Sequence, residues 1–72
     1  MEVPARWGIY PRADRDAVDD LIRRLAGCLG IPKPPLQDYF VVLPPDSDRV
    51  ARCLEEVEPG WETRGWIYPP ET

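Results

Sequence analysis

One serine, one lysine, two cysteines and no histidine make up the chain's main stock of nucleophiles and bases. Nucleophilic catalysis needs an activated Ser, Cys or Lys beside a base. Ser47 stands where a helix begins and reads as its cap. Asp14, Asp16, Asp19 and Asp20 could in principle pair for acid–base work. They fall on or near a solvated helix face, where nothing would shift their pKa values. Cys28 and Cys53 have no C-x-x-C spacing and no histidine to join them, so no zinc or other soft-metal site can be drawn. Neither G-x-G-x-x-G nor G-x-x-x-x-G-K occurs, so no glycine-rich phosphate cradle is present. These residues point away from an enzyme acting alone and imply no cofactor.

Binding chemistry is better supplied. Three Trp and three Tyr are many for 72 residues, and eight of the nine basic residues are Arg. Trp, Tyr and Arg are the types enriched at interface hot spots. The formal net charge of −4 argues against a general nucleic-acid binder, which needs clustered Lys and Arg to neutralise phosphates. The candidate contact residues are Trp7, Tyr10, Arg12, Asp16, Asp20 and Trp61. Trp7 and Trp61 lie near the ends of elements and are expected to be exposed, whereas Trp66 and Tyr39 are expected in the core.

The elements that would position them read as strand, helix, strand, helix, strand. Arg6 to Tyr10 is β-prone and stops at Pro11. From Asp14 onward Val18, Leu21, Ile22, Leu25 and Leu29 recur at three- and four-residue steps, with Gly27 or Gly30 to close the helix. On its other face Asp19–Arg23 and Asp20–Arg24 are favourable pairs four residues apart. Residues 31–37 form a proline-rich connector that cannot be helical. Tyr39 to Leu43, the most apolar run, reads as a central strand buried on both faces. A second helix follows Ser47, carrying Val50, Leu54 and Val57. Its charges run against the helix dipole, arginines early and glutamates late, a pattern that Asp48–Arg52 and Arg52–Glu56 pairing would explain, or else an acidic ridge that meets a basic partner. Thr63 to Tyr68 is the third strand, with no third helix expected.

The fold class expected is therefore α/β or α+β: one small domain over residues 1–72, with a three-stranded sheet and two helices. A 33-residue offset sets Tyr10-Pro11 over Leu43-Pro44 and Asp14 over Ser47, as repeated βα units with parallel strands would. In that topology the ends at Tyr10, Leu43 and Tyr68 share one sheet edge near Arg12, where a small molecule or anion could bind a regulatory domain. The antiparallel alternative puts both helices on one face and leaves an aromatic face bare for a partner or a second copy.

No signal-peptide pattern or membrane-length apolar run occurs, so the chain is expected to remain in the cytoplasm without contacting a membrane. Its cysteines are then expected to be thiols serving as small core hydrophobes. A domain of this size has a thin core and commonly leans on association. The function expected is a small acidic protein-binding module. It would resemble in role an inhibitor, an immunity protein, a phage antagonist or an accessory subunit, occupying a basic surface of a larger protein, with homodimerisation as a further form of association.

Overall fold

The computed structural model describes residues 4–70. The elements in chain order are β1 (Ala5–Ile9), α1 (Arg15–Leu29), β2 (Phe40–Leu43), α2 (Ser47–Val57), the single turn α3 (Trp61–Arg64) and β3 (Ile67–Tyr68). The three strands form one open antiparallel sheet in the order β2-β1-β3, so the domain is α+β. The parallel arrangement of repeated βα units is not formed. The repeat also slips by one residue at the second cap, because Asp46 rather than Ser47 caps α2 by accepting from Arg49 N.

Helix α1 follows directly from its sequence. Asp14 accepts from the backbone N–H groups of Asp16 and Ala17, satisfying two donors that the helix start leaves without partners. Val18, Leu21, Ile22, Leu25, Ala26 and Leu29 are buried along one side. Gly30 ends the helix at φ 71°, a left-handed conformation that costs a residue without Cβ little. Arg23 meets Asp19 at 3.6 Å, and Arg24 meets Asp20 at 3.0 Å, as the spacing predicts.

The reversed charges of α2 have a different cause from the one expected. No Asp48–Arg52 or Arg52–Glu56 ion pair forms among the described residues. Instead α1 and α2 pack antiparallel and exchange arginines. Arg49, early in α2, donates to Leu29 O at the end of α1 at 2.7 Å, and Arg24 of α1 donates to Val57 O at the end of α2. Each guanidinium thus satisfies a carbonyl that the opposing helix cannot pair itself, at the negative end of that helix's dipole.

The expectation of free thiols is also overturned. Cys28 and Cys53 form a disulfide across the α1–α2 contact, with their Cα atoms 5.8 Å apart. Two cysteines on separate helices meet only once the helices are packed, so no sequence spacing announces the bond. It supplies the covalent staple that a thin core invites.

The core lies between the helices and one face of the sheet. Trp7, Ile9, Val41, Leu43 and Ile67 project into it from the strands, against the apolar stripes of α1 and α2. Trp7 and Trp61 are only 1% and 4% exposed, and their rings lie 5.8 Å apart. Both were expected at the surface. Trp7 faces the helices from within β1, and Gly60, whose φ of 80° reverses the chain after Pro59 and starts the unexpected α3, turns Trp61 inward. The connector is held to α1 by polar contacts: Lys33 meets Asp19 at 2.6 Å, and Arg15 donates to the carbonyls of Asp38 and Gln37 at 2.7 and 2.9 Å. The Lys33 contact, foremost its hydrogen bond, holds the Asp19 carboxyl below its ordinary value.

Candidate functional site

Side chains alternate across a strand, so the residues between those in the core define the opposite face of the sheet. From β1 and its continuation these are Arg6, Gly8 and Tyr10; from β2, Phe40 and Val42; from β3, Tyr68. The register sets Gly8 between Phe40 and Tyr68, and sets Arg6 opposite Val42. Both helices lie on the other side, so this face is open. Val42 is 40% exposed, Tyr10 42% and Tyr68 38%.

The face has internal order. Gly8 has no side chain, and the Tyr68 ring lies directly over it: a Cβ there would sit about 2.0 Å from the ring, far inside contact distance. Tyr68 in turn meets Tyr10 with ring centroids 4.6 Å apart at 56°. Aromatic pairs in such tilted geometry contribute roughly 0.5–1.5 kcal/mol beyond area burial. At the β2 side the Arg6 guanidinium stands 4.8 Å from the centre of the Phe40 ring. A second stack, Arg64 over Trp66 at 5.2 Å, lies near the Tyr10 end, where Tyr10 N donates to Trp66 O at 3.0 Å. Glu58 pairs with Arg64 at 3.7 Å.

This arrangement corrects the expectation for β2. The run Tyr39 to Leu43 is an edge strand rather than a central one. Only Val41 and Leu43 within it are buried, while Phe40 is half-buried and Tyr39, expected in the core, is 64% exposed. Trp66 is half-buried against the rim of the core rather than within it.

Of the residues expected at a contact, Tyr10 belongs to the open face, and Arg12 is exposed on the turn that follows it. Asp16 and Asp20 are exposed on α1, outside that face. Asp20 is engaged by both Arg23 and Arg24, so this stretch of α1 presents paired charges rather than a bare acidic ridge. Trp7 and Trp61 are core residues. Sequence reasoning missed Gly8, Phe40 and Val42 as site residues, while Tyr68 was expected at a strand-edge ligand site or on a bare aromatic face. The signal that could have found them is the period-2 pattern within β2, where every second residue of an unbroken apolar run faces outward at a sheet edge.

The strand ends that would have formed a ligand edge do not gather. Antiparallel pairing places Leu43 opposite Ala5, at the opposite end of β1 from Tyr10 and Tyr68. Comparison with known protein families, curated proteins and solved structures finds no match. Among the described residues no helix is long and apolar enough to cross a membrane.

Proposed function

We propose that this chain is a protein-binding module that acts by occupying part of the surface of a larger protein, as an inhibitor, immunity protein or accessory subunit does, and that its contact is the open face of the sheet. The observation that carries this is the position of Tyr10, Val42 and Tyr68: exposed aromatic and aliphatic groups gathered on the one sheet face that no helix covers. Exposed apolar groups that are contiguous, rather than scattered, mark interaction sites. Their order supports the same reading, because Tyr68 is fixed by its seat on Gly8 and by Tyr10 and so loses little freedom on binding. The paired charges of α1 make Asp16 and Asp20 secondary. Catalysis is no part of this proposal, and neither is a cofactor.

The cytoplasmic placement expected from sequence stands beside the Cys28–Cys53 bond as a proposal with a direct readout. In a reducing cytoplasm the pair is held as thiols, so the redox state of native material reports the compartment.

The test is to tag the chain, recover its partner from the native host, and repeat the recovery with two variants. Val42→Lys together with Tyr68→Ser alters the open face, while Asp16→Lys together with Asp20→Lys alters α1. Loss of a stoichiometric partner with the first and retention with the second is expected. Retention with the first and loss with the second would move the contact to the helices and end the sheet-face proposal.

A further inference from the structure

The open face is uneven in charge, and its size limits what it can hold. Its outward positions carry a single charged residue, Arg6, and no carboxylate. Around its rim stand Arg12 on the turn after Tyr10, Arg64 stacked on Trp66 with Glu58 beside it, and Asp38 next to Tyr39. The remaining carboxylates among the described residues belong to the helices and their caps, with Glu2 and Glu71 outside the described range. A chain of net charge −4 thus turns its acidic side away and presents an arginine among aromatics. Three strands of five, four and two residues, about 4.8 Å apart, give a flat footprint of roughly 170 Å². A stable protein pair of standard size buries about 800 Å² per partner, so this face alone is too small for a dimer of two such domains.

The β2 edge adds little. Tyr39 O, Val41 and Leu43 serve β1, Gln37 N already donates to Phe40 O at 3.0 Å, and Pro44 has no donor, which leaves Val42 and Phe40 N–H as the free backbone groups of that edge. Prolines and short strands blunt an edge against pairing. Side chains rather than backbone must therefore make the contact.

We infer that the open face takes a short linear segment of a partner protein, one whose apolar residues are flanked by Asp or Glu, with Arg6 receiving a carboxylate while the apolar residues lie on Phe40, Val42 and Tyr68. This rests on the sheet-face proposal above and reverses the expected polarity of the partner from basic to acidic. Arginine suits the role because its planar fork binds a carboxylate in two places while its face stays stacked on a ring. A single-stranded nucleic acid would also stack on aromatics, but its affinity comes from many phosphate contacts, and Arg6 with Arg12 and Arg64 at the rim of an acidic chain supply few.

The experiment selects random peptides of about twelve residues, displayed on phage, against the immobilised disulfide-bonded protein. The best are then synthesised with blocked ends and titrated by fluorescence and by backbone-amide NMR. The expected peptides carry Asp or Glu beside aromatic or aliphatic residues and shift the amides of Arg6, Gly8, Tyr10, Phe40, Val42 and Tyr68. Arg6→Glu should weaken them by about tenfold or more, the scale of a hot-spot residue, and Arg6→Lys by less. Asp16→Lys serves as a control and should leave affinity unchanged. Peptides that shift the same amides without any acidic preference would overturn the acidic polarity and leave the face as a binding site. Peptides that shift α1, or no selected peptide at all, would overturn both. Tighter binding of an oligothymidylate to these amides would assign the face to nucleic acid, and concentration-dependent dimers that protect it would assign it to a second copy.

Discussion

Reduction of the Cys28–Cys53 bond should remove about half of the stability of this domain. The bond closes a loop with a sequence separation of 25 residues. In the chain-entropy account, a loop of that length limits the unfolded state by about 3.5 kcal/mol at room temperature. A core in a domain this small supplies only ~3–5 kcal/mol, so the bond contributes a comparable share and the reduced form keeps only what the core supplies. For a domain of this size that loss corresponds to a fall in melting temperature of roughly 15–25 °C. With a urea dependence of about 1 kcal/mol/M, the unfolding midpoint should move by roughly 3 M. Circular dichroism melts and urea titrations of the oxidised protein, the protein in excess phosphine reductant, and the Cys28→Ser/Cys53→Ser variant measure this, with thiol titration to confirm each state. The last two should agree. A melting shift under about 5 °C would refute the reasoning, since the helices would then hold together without the staple.

Other outcomes follow from single contacts. Gly8→Ala must push the Tyr68 ring off β1 and break its contact with Tyr10; partner binding should fall by roughly 0.5–1.5 kcal/mol while the fold persists, as read by tyrosine ring NMR and titration. Trp61→Ala, by contrast, empties a core site against Trp7 and should cost roughly 3–5 kcal/mol, unfolding the reduced chain and lowering the melting temperature of the oxidised one by well over ~10 °C; a cooperative melt near that of the parent would show Trp61 to be a surface residue after all. Lys33 lowers the Asp19 carboxyl in the folded state, so the stability this pair adds is present above the ordinary value of 3.8 and is lost as pH falls through the lowered one. Lys33→Ala should bring the Asp19 titration, followed by carboxyl NMR, up toward 3.8, and an unchanged midpoint would remove Lys33 as the cause.

The first helix was fully legible because every determinant is local: Asp14 as cap, apolar residues at three- and four-residue steps, and Gly30 where a left-handed residue is required. The order of the strands and the two long helices was legible for the same reason, whereas the single turn α3, read as the start of the third strand, was not. What failed depended on contacts between distant segments. Tyr39 to Leu43 is apolar throughout, which suits a strand buried on both faces, yet the helices cover only one face of the sheet, which leaves Val42 in solvent. Trp61 follows Pro59-Gly60 and so resembled a surface turn, until the left-handed Gly60 redirected it onto Trp7. The disulfide and the exchanged arginines Arg24 and Arg49 exist only because α1 and α2 are antiparallel, a relation no local pattern encodes. Of the contact residues named from sequence, Tyr10 alone lies on the open face. The open face itself follows from topology, because the sheet adopts the antiparallel alternative with the helices on one side.

Side-chain footprinting of the chain, free and bound to its recovered partner, tests the sheet-face claim most directly. Hydroxyl radicals report on the tyrosines, and carbodiimide coupling reports on the carboxylates. The account predicts that Tyr10 and Tyr68 become protected on binding, while Asp16 and Glu55, exposed on the helices, react as in the free protein. Protection of Asp16 and Glu55, with Tyr10 and Tyr68 as reactive as before, would contradict it.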